Sequence, residues 1–261
     1  MPIPIYQVDA FTNRVFGGNP AAVCPLERWL DDATMQAIAT ENALSETAFF
    51  VRQGAGFGLR WFTPTAEVDL CGHATLAAAH VLVTELGFEG DVVRFETRSG
   101  ELRVARAGDS LALDLPALVA TPCATPAGFA DALGRAPHEV LVAADYVAVF
   151  EHEDDVRSLE PDMARLARLD RRGVVATAPG RDVDLVSRFF APGIGIPEDP
   201  VTGSTHASLV PYWAERLGVR SLRARQLSRR GGELTCRLAG DRVVLLGRSV
   251  TFLRGAIDVE G

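Results

Sequence analysis

The stretch Asp69-Leu70-Cys71-Gly72-His73-Ala74-Thr75-Leu76 decides how the rest of the chain is read. It is a polar turn that runs into a segment apolar on every side: Ala74, Leu76, Ala77, Ala78, Ala79, Val81, Leu82, Val83 and Leu86. A helix with no wet face has to be enclosed by other elements. Its first turn nevertheless carries Gly72, His73 and Thr75. Glycine lets another molecule come close to the backbone. The first amides of a helix lack partners within it and attract anions. Taken alone, a Gly-His pair is also what a plain helix start looks like.

A second copy later in the chain moves the reading away from the plain one. Arg60-Trp61-Phe62-Thr63-Pro64 leads to Gly72-His73-Ala74-Thr75, and Arg188-Phe189-Phe190-Ala191-Pro192 leads to Gly203-Ser204-Thr205-His206. Gly203 follows Gly72 by 131 positions, as Gly218 follows Gly87. Gly100-Glu101-Leu102 returns as Gly232-Glu233-Leu234, and Gly108-Asp109 as Gly240-Asp241. Register kept across three blocks points to a duplication of half the chain.

Each half carries the same order of elements. Strand-like runs come first, over 3–10, 48–52 and 59–62 in one half and 144–151, 173–178 and 183–190 in the other. The buried helix follows. Further strands come last, over 92–97, 101–105 and 110–115, echoed by 221–228, 233–238 and 242–246. A helix apolar all round is satisfied when strands wrap it, so the fold class expected is α+β in two lobes. Amphipathic helices are expected over 30–41 and 160–169. The proline-rich stretch 117–126 reads as a linker, which places the lobes at 1–116 and 127–261.

Bulk properties bound the function. The chain has 261 residues, 48% hydrophobic and 23% charged, enough to fill a core. A net charge of −8 argues against nucleic acid or an anionic membrane as partner. A local site can still oppose that charge, so an anionic small molecule is compatible with it. No secretory or membrane-spanning pattern is visible, and Cys24, Cys71, Cys123 and Cys236 form no CxxC pair. Reduced thiols in the cytoplasm are the expectation.

If the halves share a fold, their two Gly-led helix starts are expected to face one another across a cleft, offering N–H donors to a carboxylate or an enolate. The amides around Gly72, Ala74, Gly203 and Thr205 then belong to substrate binding. Proton transfer also needs a base. Glu46 stands where Glu41-Asn42-Ala43-Leu44-Ser45-Glu46 passes into the apolar run Thr47-Ala48-Phe49-Phe50. A carboxylate entering a core strand is unusual and suits an acid or base, although a solvated turn Glu gives the same spacing. His73 donates, orients or transfers a proton on one reading and bonds to backbone on the other. Asp199 precedes the second helix, where it either serves the site or caps the turn. Ser204 occupies the slot of His73, and its hydroxyl can bond an anion. His206 is expected to pack inside its helix. Asn19, in Gly17-Gly18-Asn19-Pro20, reads as turn first and ligand contact second. Metal binding is not expected: His73 and His80 lie seven apart with no acidic or cysteine partner at ligand spacing. Nucleotide loops and serine-hydrolase elbows are absent as well.

The ordered set of motifs resembles the phenazine-biosynthesis PhzF-like family of the diaminopimelate epimerase-like superfamily. The matching pieces are Asp9-Ala10-Phe11, Gly18-Asn19-Pro20-Ala21-Ala22-Val23, Leu44-Ser45-Glu46-Thr47-Ala48-Phe49, Phe62-Thr63-Pro64, Gly72-His73-Ala74-Thr75, Asp199-Pro200-Val201-Thr202-Gly203-Ser204 and Gln226-Leu227-Ser228-Arg229-Arg230-Gly231-Gly232. The resemblance implies two pseudo-symmetric lobes, each a β-barrel-like antiparallel or mixed sheet around a central helix, with the site between them. It implies a homodimer and cofactor-independent isomerisation of a small carboxylate. It makes Glu46 the acid/base, with His73, Asp199 and Ser204 completing the site. Related racemases use two thiols. Here Cys71 holds the first thiol position and Val201 stands where the second would be, so a two-thiol racemase is disfavoured. Cys71 also sets the chain apart from the founding phenazine enzymes. Two further readings stay open: an epimerase that uses Glu46 with Cys71, and a non-catalytic binding protein of the same fold.

Overall fold

The structure, a computed structural model, describes residues 2–259; positions 1, 260 and 261, at the ends of the two expected lobes, lie outside the described residues. It is a mixed α/β fold in which strands predominate and helices are few. The chain divides into two compact units, Met1–Asp114 with Leu246–Gly261, and Leu115–Leu245.

The first unit runs β1 (Ile3–Ala10), β2 (Asn19–Leu26), α1 (Asp32–Asn42), β3 (Glu46–Gln53), β4 (Gly56–Phe62), β5 (Glu67–Val68), α2 (Gly72–His80), β6 (Val92–Thr97), β7 (Gly100–Ala107) and β8 (Ser110–Pro116). Pairing is antiparallel for β1–β2, parallel for β2–β3, antiparallel for β3–β4 and β4–β5, parallel for β4–β6, and antiparallel for β6–β7 and β7–β8. From Glu46 to Val51, β3 is buried on both faces. That is the pattern of a strand covered on either side rather than one with a wet face. One cover is α1, whose Met35, Ile38 and Ala39 pack with Cys24, Phe49 and Phe62. Another is α2, which packs against β1, β2 and β3 and is buried from Gly72 through Ala79. Four alanines let its backbone come close to the strands. It runs on as a π-helical turn over Val81–Glu85.

The second unit runs β9 (Thr121–Pro122), α3 (Phe129–Leu133), β10 (Glu139–Val142), β11 (Tyr146–Val149), α4 (Glu153–Arg157), α5 (Met163–Leu166), β12 (Val174–Pro179), β13 (Leu185–Ala191), β14 (Ile196–Asp199), α6 (Gly203–Leu217), β15 (Ser221–Gln226), β16 (Gly232–Ala239) and β17 (Arg242–Gly247), and a last strand, β18 (Ser249–Ile257), follows. Its pairings repeat those of the first unit in order: β10–β11 antiparallel, β11–β12 parallel, β12–β13 and β13–β14 antiparallel, β13–β15 parallel, β15–β16 antiparallel. The sequence repeat is therefore also a repeat of strand topology. Phe129, Leu133, Phe150, Val156, Leu166 and Phe190 form this unit's core, closed by the short helices α3 to α5.

Several expectations need correction. β18 pairs along the length of β1, so residues 249–257 belong with the first unit and not with the expected lobe 127–261. Residues 117–126 are not a free linker. Leu118 N–H donates to the Ala207 carbonyl, Ala117 N–H to the Asp241 carbonyl, and β9 pairs with β10. The first of these bonds has a cause inside α6. Pro211 has no N–H to give to the carbonyl four residues earlier, which is that of Ala207, so this acceptor is left for Leu118. The helix expected over 160–169 shrinks to the single turn of α5. The stretch read as a turn around Asn19-Pro20 begins β2, an inner strand that carries Pro20 and Pro25 and lies between β1 and β3. Proline argues against such a strand in sequence, because it cannot donate to a ladder. Gly18 makes the entry possible: its φ is +61°, and a Cβ there would lie 2.0 Å from the Ala10 carbonyl oxygen.

Candidate active site

Three elements of the first unit bring polar side chains to one buried point. β3 begins on Glu46, β2 begins on Asn19, and α2 begins on Gly72 with His73 in its first turn. Glu46, Asn19 and His73 are all buried. His73 is the hub. Its Nε2 lies 3.1 Å from Glu46 Oε2, its Nδ1 lies 3.2 Å from Asn19 Nδ2, and Cys71 Sγ lies 3.4 Å from the same Nδ1. Ser45 Oγ donates to Asn19 Oδ1 at 3.5 Å and steadies that amide from below. Glu46 Oε2 and His73 Nε2 have no hydrogen-bond partner beyond this ion pair among the described residues. With the Asn19 amide donating to Nδ1, the neutral ring keeps its proton on Nε2, facing the carboxylate. A second proton, on Nδ1, displaces the Asn19 hydrogen bond there and has Cys71 Sγ as its neighbouring acceptor.

Burial opposes a charge on His73, but Cys71 and Glu46 oppose burial and hold the imidazole well above its ordinary value of 6.5. Burial, and then the Glu46 charge, hold the Cys71 thiol protonated to higher pH than a free cysteine. The thiol is therefore neutral near pH 7, and the Glu46 carboxylate is the partner that favours imidazolium there. The linkage has a definite sign. A histidine whose folded pKa is raised contributes stability in full below its unfolded value and loses it as pH rises through the folded value. The urea midpoint is thus expected to fall as pH rises above about 6.5. A Glu46→Gln variant is expected to flatten that fall. An NMR titration showing His73 at or below the ordinary histidine value would contradict the arrangement.

Glu46, Cys71 and His73 place one potential ligand atom each within 4.8 Å of one another. The sequence argument found no such partner for His73 because Glu46 arrives from another strand. The chemistry of this donor set nevertheless fits a metal poorly. Cys71 and Glu46 meet the imidazole at different nitrogens, and a ligand thiol must give up a proton that burial makes this one keep. The same three groups in a row suit proton exchange along the ring.

The second unit builds a different turn at the matching place. Asp199 ends β14 and is buried; Thr202 Oγ donates to its Oδ2. Gln226, at the end of β15 and fully buried, clamps this turn. Its Oε1 accepts from Thr202 N–H at 2.9 Å, and its Nε2 donates to the Asp199 carbonyl at 2.8 Å and to Thr202 Oγ1 at 3.2 Å. Gln226 was legible in the sequence only as part of a family motif, with no role attached. Gly203 and Thr205 are buried in the first turn of α6. The Thr205 hydroxyl is used within that turn, donating to the Thr202 carbonyl, so what Thr205 has to offer a ligand is its amide. Ser204 stays half-buried. His206 lies inside the helix as expected, bonded through Nδ1 to the Thr202 carbonyl, and burial pulls its pKa down to about 4.

The two Gly-led helices share one further property. No side chain caps the start of α2 or of α6, whereas Asp31 and Asp162 cap α1 and α5. An uncapped start leaves its first N–H groups to backbone, water or ligand. Burial pushes the Cys24 thiol up to about 12 and also raises Cys236, which leaves both inert near neutral pH.

Comparison with known proteins finds relatives over nearly the whole chain. The model of the phenazine biosynthesis-like protein family, PhzC-PhzF, covers residues 8–255. A Pseudomonas aeruginosa protein named as an uncharacterized isomerase is 54% identical over 257 residues, spanning 98% of this chain and 99% of that one. The crystal structure of a PhzF-family phenazine biosynthesis protein from Enterococcus faecalis matches with a TM-score of 0.97 and 45% identity, over 99% of this chain and all of the other. A hydroxyproline epimerase from Agrobacterium vitis shares the fold alone, with a TM-score of 0.65 and 13% identity over 99% of this chain and 93% of its own. Among the described residues no helix is long and apolar enough to cross a membrane.

Proposed function

Because the chain belongs to the phenazine biosynthesis-like family, we propose that it is a cofactor-independent isomerase acting on a small substrate that bears a carboxylate. Glu46 removes a proton from a carbon made acidic by a neighbouring carboxylate or carbonyl and returns it at another position. The observation that carries this reading is the Glu46–His73 pair. A carboxylate is set at the first residue of a doubly buried strand and left with one imidazole 3.1 Å away as its partner. A purely structural acid at such a place would be neutralised by several hydrogen bonds. The uncapped start of α2 beside it supports anion binding, since its amides suit a carboxylate or the enolate formed on deprotonation.

The second repeat's Asp199 and Ser204 enter through the family motif and the internal duplication, not through any distance to Glu46. The family resemblance supports a homodimer. An epimerase that uses Cys71 as its second base is the weaker reading. Cys71 lies within reach of His73, yet burial and Glu46 keep its thiol protonated, the wrong state for a base near neutral pH.

The test is proton exchange. Small cyclic acids and α-amino and α-hydroxy acids are incubated with the protein in D2O and followed by proton NMR. At least one is expected to lose a carbon-bound proton signal at a rate proportional to protein concentration. A compound that binds in calorimetry while no member of the panel exchanges would assign the protein to binding without turnover.

A further inference from the structure

Ser204 has a neighbour that the motifs do not contain. Arg172 lies in the turn before β12 and donates from Nη2 to Ser204 Oγ at 3.2 Å. The guanidinium is held from behind. Asp145, buried beside β11, takes Nε at 3.0 Å on one oxygen and Nη2 at 2.5 Å on the other. The Phe189 ring lies beneath it at 5.2 Å. The backbone fixes the approach too. At Gly173 a Cβ would meet the Phe190 carbonyl oxygen at 2.5 Å, so only glycine lets the chain run this close to β13 and set Arg172 against α6. A buried carboxylate gripping two guanidinium nitrogens is a rigid support, unlike a surface pair between two flexible side chains.

The consequence lies in which atom donates. An arginine has donors only, while a serine hydroxyl has one donor and two acceptor sites. By filling an acceptor site on Oγ, Arg172 leaves the hydroxyl proton to be given elsewhere. Ser204 Oγ has no other hydrogen-bond partner among the described residues. Resting on the reading of Ser204 as a substrate contact, we infer that Arg172, braced by Asp145, is a positioning residue that commits the Ser204 hydroxyl to donating to a carboxylate. A serine alone would accept or donate with equal ease and would discriminate poorly between a carboxylate and its protonated or amide form. Arg172 turns it into a selector for the anion.

Binding of benzoate, followed by proton NMR titration, tests this apart from turnover. Wild-type protein is expected to bind it saturably. Ser204→Ala and Arg172→Met are each expected to weaken binding about tenfold, the range of a hydrogen bond to a charged group. If Arg172 works through Ser204, adding Arg172→Met to Ser204→Ala changes the affinity by less than about twofold. Arg172→Lys keeps a charge against Asp145 but loses the fork, and is expected to fall between wild type and Arg172→Met. It carries the test if Arg172→Met does not fold. Benzamide, the neutral isostere, is expected to bind all forms with similar weakness. The inference is overturned if wild type shows no saturable binding, if Arg172→Met or Arg172→Lys binds benzoate as wild type does, or if the two losses simply multiply. Benzoate carries no exchangeable carbon-bound proton, so such a failure leaves the Glu46 exchange assay standing. Conversely, an absence of exchange across the panel would sink the isomerase reading without changing the benzoate result.

Discussion

Replacing Glu46 with Gln is expected to lower the rate of solvent-deuterium uptake into a true substrate by about 10³-fold, the scale on which a positioned general acid–base acts. The change keeps shape and volume, and Gln still accepts a hydrogen bond from His73 through its amide oxygen. It removes the capacity to take up and return a proton. Far-UV circular dichroism is expected to stay near that of wild type, while the unfolding transition is expected to be lowered below about pH 6.5, where the His73 contribution is fully present, and to approach wild type as pH rises. The substitution also removes the charge that favours imidazolium on His73, so the His73 titration should move down toward the ordinary range at the same time. That paired outcome, lost exchange with a lowered histidine titration, ties the kinetic defect to this contact. A variant that exchanged at the wild-type rate would remove Glu46 from the chemistry.

Replacing Gln226 with Leu is expected to be the most damaging single change to the second unit's turn. The Gln226 amide makes three hydrogen bonds in a site with no exposed surface. Leucine fills much the same volume but removes the acceptor of the Thr202 N–H and the Gln226 donor to the Asp199 carbonyl. An unsatisfied buried polar group costs about 1–3 kcal/mol. Loss of both bonds gives an expected loss of about 2–6 kcal/mol in unfolding free energy, measured by urea denaturation. Gln226→Glu separates packing from bonding. It preserves the acceptor to Thr202 N–H and loses the donor to Asp199, so its cost should be distinct from that of leucine and should grow as pH rises and the buried carboxyl ionises. If Gln226→Leu were as stable as wild type, the clamp would have no structural weight. The turn it holds carries Asp199 and leads into Ser204, so exchange activity should also fall with Gln226→Leu, even in protein that remains folded at low temperature.

The way Glu46 and Cys71 reach His73 shows why a linear scan for ligand or catalytic spacing falls short. Cys71 is two residues from His73 and was visible. Glu46 and Asn19 are separated from it by 27 and 54 positions and meet it because β2 and β3 run parallel and both start beside the first turn of α2. Glu46 was still a candidate from sequence, because a carboxylate at the head of an apolar run is energetically conspicuous. Asn19 was seen mainly as a turn residue, because Gly-Gly-Asn-Pro carries every local sign of one. Gln226 and Arg172 gave no local signal: a glutamine ending an exposed-looking strand and an arginine in a polar turn are ordinary until the fold buries the first and braces the second.

What the sequence determined by itself is the repeat and the enclosed helix. Residues spaced for an all-round apolar helix admit one outcome, burial, and the duplicated blocks fix a common order of strands, since both follow from local pattern and from identity between halves. Most strand positions follow from short apolar runs bounded by turn residues in the same way. The tertiary structure alone decided three things. It placed β18 beside β1, because an edge strand is completed by whichever segment supplies matching hydrogen bonds, regardless of distance in sequence. It made a strand of a proline-bearing segment, because ladder partners on both sides outweighed the local preference for a turn. And it assembled the Asn19–His73–Glu46 cluster, because hydrogen bonds and charge act through space, and the spacing of residues along a chain records that space only where the backbone between them is regular.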